Sequence, residues 1–280
     1  MARIVLGNRE GLLAIRHGRS VLEFLTDEWP DLQLRLRTVP KGGGQEGGPL
    51  LHALASGEVG IAVAQLERLP PTLPDGIKLA AVLRRGEPRS ALAAKGKGDL
   101  GALPAAARIA VTSERDGTFL AGINPGFQIE VDASAPDVLL ARVGAGIDAA
   151  ILPAATLITL DLRSAIDVVL DETVFAPAPG QGAVGLLVRD DDDLAFETAY
   201  SLQHRPSFDR VRAELAFAAE LPDMHVGSVA WVTEDGELTL FGSVARGGTV
   251  LQAYVTGEAR EGAELGRELA KDVREQLARA

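Results

Sequence analysis

The chain has 280 residues, 46% of them hydrophobic, enough for a packed core and a length that favours roughly two domains. Its formal net charge of −11 repels phosphate backbones and anionic head groups, so neither nucleic acid nor a membrane surface is expected as a partner. It contains no cysteine, which removes disulfides, thiolate metal sites, thiol nucleophiles and thioether-linked cofactors together.

Ala2 to Gly7 reads as a buried strand. Arg9 and Glu10 interrupt this apolar run before it reaches the length of a signal peptide, and no segment has the length to span a bilayer. A cytoplasmic protein is expected. A helical pattern follows through Leu13, His17, Val21, Phe24 and Leu25, and then Leu32 to Arg37 alternates strictly, as a half-exposed strand does. Strand, helix and parallel strand make an α/β unit. The glycine-rich stretch Lys41 to Gly48 lacks the Gly-Lys-Ser/Thr ending of a phosphate loop and reads as a surface loop, with Pro49 in the first turn of the next helix. Val59 to Ala64 is a buried strand whose carboxyl end delivers Gln65-Leu66-Glu67-Arg68, the position where α/β sheets place ligands.

Ile77 to Leu83 is a further strand, and Arg84 to Leu92 reads as a crossover into a second lobe that repeats the pattern. There, Ile109 to Val111 and Phe127 to Val131 are strands, Ser134 to Asp137 reads as a capping box for a helix through Val143, and Ile147 to Leu152 is a strand. Gly144-Ala145-Gly146 ends that helix. The acidic run Asp190 to Asp193 reads as a helix start; adjacent acids cannot all face one ion, and the four histidines are scattered, so no metal site is expected. A helix through Phe208, Val211 and Leu215, strands at 229–233, 238–244 and 250–257 with an Asp235-Gly236 turn, and a charged amphipathic helix from Gly262 complete a small α+β portion.

Pro177-Ala178-Pro179-Gly180-Gln181-Gly182-Ala183-Val184-Gly185 is the most distinctive stretch. Two prolines fix the backbone, two glycines bracket one amide, and an apolar strand follows. This stretch resembles the signature of the porphobilinogen deaminase (hydroxymethylbilane synthase) family of tetrapyrrole biosynthesis. Gly7-Asn8-Arg9, Arg85 with Pro88-Arg89-Ser90-Ala91, and Thr112-Ser113 are similar to further motifs of that family. The resemblance implies an α/β fold of two periplasmic-binding-protein-like lobes with a cleft between them, plus a small α+β C-terminal domain. It places lobe one at 1–83 and 176–193, lobe two at 84–175 and the third domain at 194–280. It also implies that Arg9, Thr112, Ser113 and Gln181 line the cleft and bind the ligand.

The same resemblance exposes departures. The family holds a dipyrromethane cofactor on a cysteine in a Gly-Gly-Cys-x-x-Pro loop; the matching segment, Ala213 to Ser228, is a few residues shorter and has no cysteine. The family's catalytic aspartate falls at Arg68 and the preceding lysine at Glu67, a charge inversion. A guanidinium about 4 Å from a cationic intermediate would repel it by about 4 kcal/mol at an effective dielectric near about 20, and arginine is no general acid at neutral pH. Adjacent strand residues point to opposite faces, so Glu67 is not expected to replace the aspartate. The family's anion-holding arginines fall at Asp116-Gly117 and at Glu130 or Asp132. The expectation is a catalytically degenerate, monomeric small-ligand or regulatory protein without a covalent cofactor. The alternative is an active synthase that polymerises porphobilinogen on a non-covalent primer.

Overall fold

Strand β1 (Arg3–Arg9) buries Ile4 and Leu6 against Val21 and Leu25 of helix α1 (Leu12–Glu28). The structure, a computed structural model, describes residues 2–40, 42, 47–96, 98–246 and 249–279. Of the glycine-rich stretch expected as a loop, Lys41 and Gly43 to Glu46 lie outside the described residues. Strand β2 (Gln33–Val39) alternates as its sequence dictates, and α2 (Gly48–Ala55) carries its proline in the first turn. Next come β3 (Ile61–Gln65) and β4 (Ile77–Val82), then β5 (Ser90–Ala93), β6 (Arg108–Val111), α3 (Glu114–Ile123), β7 (Gln128–Val131), α4 (Pro136–Arg142), β8 (Ala149–Pro153), α5 (Ala154–Thr159) and β9 (Val168–Val169). The chain ends with β10 (Val184–Arg189), α6 (Asp193–Tyr200), α7 (Arg205–Ala219), β11 (His225–Val232), β12 (Glu237–Arg246), β13 (Thr249–Glu258) and α8 (Gly262–Arg279).

These elements form two compact units, Met1–Gly86 with Ala183–Asp209, and Glu87–Gly182 with Arg210–Ala280. The first holds one sheet in the order β2-β1-β3-β10-β4. β1 runs parallel to β2 and β3, while β10 is antiparallel to both β3 and β4. Side-chain alternation gives the sheet two buried faces. Ile61, Val63, Leu186 and Val188 face α1 and α6, whereas Ala62, Ala64 and Leu187 face α2. Returning strand β10 is therefore apolar at every interior position, as a strand covered on both faces must be.

The second unit holds a sheet in the order β7-β6-β8-β5-β9 and an antiparallel meander β11-β12-β13. Ala110, Ala150 and Leu152 pack under Leu139 of α4 and Leu157 of α5. On the opposite face, Ile109, Val111 and Ile151 share a core with Phe119, Leu120 and Phe175, and with Val229, Phe241 and Ala245 of the meander. The other face of the meander packs on α7 and α8 through Ala230, Leu240, Phe217 and Leu269. That shared core joins residues 210–280 to 87–182, whereas α6 seats Ala195 and Ala199 in the core of the first unit. The fold is α/β, each unit built on a five-stranded sheet with helices packed against it.

The acidic run starts α6, with Asp192 as N-cap accepting from Ala195 N at 3.0 Å and Arg189 pairing with Asp192 at 2.8 Å. The capping box expected at Ser134 does not form. Ala135 is the N-cap of α4 without a side-chain bond, and the Ser134 N–H instead donates to Asp132 Oδ1.

Candidate functional site

In the first unit the parallel strands end along one edge of the sheet, and there Arg9, Glu67 and Arg68 sit. Arg9 closes β1, in register with Val39, and its carbonyl accepts from the side chain of the buried Asn8 at 2.7 Å. Gln65 closes β3, and Arg84 and Arg85 follow β4. Beyond Gln65 the chain does not continue as a strand. Leu66–Arg68 form a 3-10 turn, closed by Leu69 N–H on Leu66 O and pinned by Leu66 N–H on Ala183 O at 3.0 Å. Leu66 itself is buried under the glycine of β10, Gly185. The expectation that residues 67 and 68 face opposite ways by strand alternation is thus corrected, because successive residues of a 3-10 turn step by about 120° and not 180°.

This turn changes what Glu67 can do. Its Oε1 accepts from Gln65 Nε2 at 2.9 Å, while its Oε2 is buried and takes no hydrogen bond from the described residues. Burial pushes the carboxyl up from 4.5 to about 7, against the opposing pull of its own backbone N–H, Arg68, Gln65 and Arg85. Such a group exchanges its proton near neutrality, the range in which a carboxyl serves as acid, base or switchable hydrogen-bonding partner. Only the position of Glu67 was readable from sequence; the burial that shifts it was not.

In the second unit, Thr112 and Ser113 come together with Asp116. Ser113 is the N-cap of α3 and accepts from Asp116 N at 3.2 Å, while Thr112 Oγ1 donates to Asp116 Oδ2 at 3.2 Å. Both hydroxyls therefore serve the start of α3. Asp116 also pairs with the half-buried Arg115, whose guanidinium donates to Val226 O at 2.7 Å and to Ala176 O. Burial lowers the pKa of Arg115, and Asp116 opposes the shift. Arg115 lacks any sequence signal, yet it ties α3, the segment before the Pro-Gly turn and β11 into one piece. Glu130 and Asp132, the acids at expected cation positions, share the one guanidinium of Arg142 of α4. Hydrogen bonds from Ser134, and then Arg142, hold Asp132 below the usual carboxylate range.

Gln181 stands at the tip of the Pro-Gly turn. Gly180 and Gly182 on either side take φ of 74° and 75°, which glycine adopts at least cost. Gln181 is 3% exposed; its Nε2 donates to Pro88 O at 2.7 Å and to Ser90 Oγ at 3.2 Å, and its Oε1 accepts from Ala178 N at 3.3 Å. Gly180 N–H donates to Glu214 Oε2 at 2.8 Å, and Glu214 Oε1 accepts from Ala230 N at 2.8 Å. The amide of Gln181 thus staples the turn to Pro88 and Ser90. Between α7 and β11 there are only residues 220–224, folded by Leu221 N–H on Ala218 O and Met224 N–H on Leu221 O.

Among the described residues no group of three or more His, Asp or Glu side chains is placed to hold a metal ion, and no helix is long and apolar enough to cross a membrane.

Residues 48–197 match the family model described as porphobilinogen deaminase, dipyromethane cofactor binding domain. A protein named porphobilinogen deaminase from Thermus thermophilus is 39% identical over 291 residues, covering 99% of this chain and 97% of that protein. One of the same name from Deinococcus radiodurans is 35% identical over 298 residues, covering 98% and 96%. Among solved structures, the substrate binding domain of a putative molybdenum ABC transporter from Clostridium difficile superposes with a TM-score of 0.50 at 12% identity, covering 75% of this chain and 96% of that one. That likeness is one of fold alone, a two-lobed, periplasmic-binding-protein-like architecture, and says nothing of a ligand.

Proposed function

The chain belongs to the porphobilinogen deaminase family, and from that premise we propose that it keeps the family scaffold as a cytoplasmic, monomeric binder of a small ligand and has lost the cofactor-primed polymerisation. The observation that carries this reading is the absence of cysteine from all 280 residues. A dipyrromethane held by a thioether needs a cysteine thiol, and none exists here. The residues present do not fit that group: the segment between α7 and β11 is a short closed turn with Pro222 and Asp223 in it. Arg68, at the position the resemblance gives to the catalytic aspartate, points the same way, because its charge would oppose a cationic intermediate. So do Asp116, Glu130 and Asp132, which stand where the resemblance expects anion-holding arginines and which engage Arg115 and Arg142.

A second reading is favoured by one observation. Glu67 lies in the same 3-10 turn as Arg68 and titrates near neutrality. A synthase that primes on a free pyrrole and uses Glu67 for proton transfer is consistent with that turn.

Incubation of the purified protein with porphobilinogen, followed by oxidation and porphyrin absorbance, separates the two. No porphyrin, an intact mass equal to the bare polypeptide and a ligand-induced rise in melting temperature are the outcomes expected of a binder. A ligand at 100 times its Kd adds about 2.7 kcal/mol of stability, well within reach of a thermal scan. Porphyrin formed at a steady rate would refute the binder reading in favour of the second.

A further inference from the structure

Helix α2 carries Gly48, Leu51, His52 and Ala55 at i, i+3, i+4 and i+7, a single stripe along the helix. Against this stripe runs the connection into β4, Leu69-Pro70-Pro71-Thr72-Leu73-Pro74-Asp75-Gly76. Leu69 and Leu73 of the connection pack into the same core as Leu51 and Ile77. Its three prolines fix φ and offer no N–H, and among the described residues no backbone hydrogen bond joins 70–76 to α2. The strap is therefore held by side chains at two points and stays stiff between them. Two of the four stripe residues, Gly48 and Ala55, are too small to reach across. A recess of about 240 Å³ remains, walled by the stripe and by Pro70, Pro74 and Ile77.

The only polar side chain in that wall is His52, which is exposed and whose ring takes no hydrogen bond from the described residues. An apolar wall with one donor and acceptor suits a small apolar molecule carrying a single polar group. An apolar cavity of roughly 150 Å³ admits benzene, so the recess has room for one substituted ring. Asp75 adjoins Pro74 and the chain carries a net charge of −11, which disfavours an anion. We propose that this recess is a ligand site for a neutral, one-ring hydroxyaromatic molecule, its ring against Leu51, Ile77 and the two prolines and its hydroxyl on the His52 imidazole. The proposal stands whether or not a second ligand binds at the carboxyl edge of the sheet.

The test adds p-cresol to the full chain as wild type, Ala55→Phe and His52→Ala, and follows both the histidine ring signals and the signals of the probe by NMR. Ala55 is exposed at the end of α2, so phenylalanine there fills the recess without entering the core. In the wild type the His52 signal alone among the four histidines moves and saturates, with a Kd of about 1 mM or tighter for a probe of this size. Ala55→Phe weakens binding roughly tenfold or more by occupying the space. Toluene, the same ring without the hydroxyl, binds the wild type about fivefold more weakly than p-cresol, and in His52→Ala the two probes bind alike. Benzoate binds more weakly than p-cresol. No saturable His52 shift up to the solubility limit of p-cresol, unchanged affinity in Ala55→Phe, a preference for p-cresol over toluene that survives in His52→Ala, or tighter binding of benzoate would each overturn the assignment. Sedimentation that shows the wild type self-associating where Ala55→Phe does not would give the recess to a second copy of the chain and overturn it as well.

Discussion

Replacing Glu67 with glutamine probes the buried carboxyl without any ligand. Folded Glu67 holds its proton up to about pH 7, while the unfolded chain releases it near 4.5. The stability contributed by the neutral carboxyl is therefore complete below about 4.5 and is lost as pH rises through about 7. At about 1.4 kcal/mol per pH unit, a midpoint raised from 4.5 to about 7 makes ionised Glu67 cost the folded state about 3 kcal/mol. Glutamine cannot ionise, and its carbonyl can still accept the Gln65 amide. Its own NH2 group brings a pH-independent cost at the Oε2 position, so the informative quantity is the change with pH. Urea unfolding at about pH 4.5 and about pH 8.5 should show Glu67→Gln gaining about 3 kcal/mol relative to wild type between the two. Every other titrating group is common to both proteins and cancels. A stability difference that stays the same at both pH values would refute the reasoning, since it would mean that Glu67 ionises in the folded protein as freely as in the unfolded one.

Arg115→Ala should cost about 3–5 kcal/mol in urea unfolding, because it strands Asp116 and two buried carbonyls. Arg115→Lys should recover little of it, since an ammonium cannot span the same three partners. Ser113→Ala should lower stability by about 1 kcal/mol as α3 loses its cap, with porphobilinogen affinity unchanged in calorimetry; an affinity loss would return Ser113 to the ligand site. Gly266→Ala should cost about 3 kcal/mol in a thermal melt, because the new methyl group meets Ala213 O and sits 2.8 Å from Phe217 N, forcing α8 away from α7.

Much of the fold was legible because periodicity is a local property. The alternating run 33–37 lies in β2; the apolar runs at 61–64 and 184–188 sit in strands covered on both faces; the acidic run caps α6. The glycines around Gln181 announced a tight turn, and the turn is there. What stayed hidden depends on partners distant in sequence. Helix α3 contains Gly117 and Gly122 and has a weak helical signal; it forms because Ser113 caps it and Phe119 and Leu120 enter a core with Phe175 and Phe241. The same core joins the C-terminal meander to 87–182, which no local pattern in 210–280 foretells.

The candidate site divides in the same way. Composition alone established that no thioether can form and that residue 68 carries a positive charge, because those are statements about which atoms exist. Whether a hydroxyl or amide is available for a ligand is a statement about neighbours. Only the folded chain turned Thr112 and Ser113 toward Asp116, fastened Gln181 to Pro88 and Ser90, and bent the chain after β3 into a 3-10 turn that buries Oε2 of Glu67. Desolvation is a property of the surroundings, so the proton affinity of that carboxyl was decided by tertiary structure and by nothing in its own sequence neighbourhood.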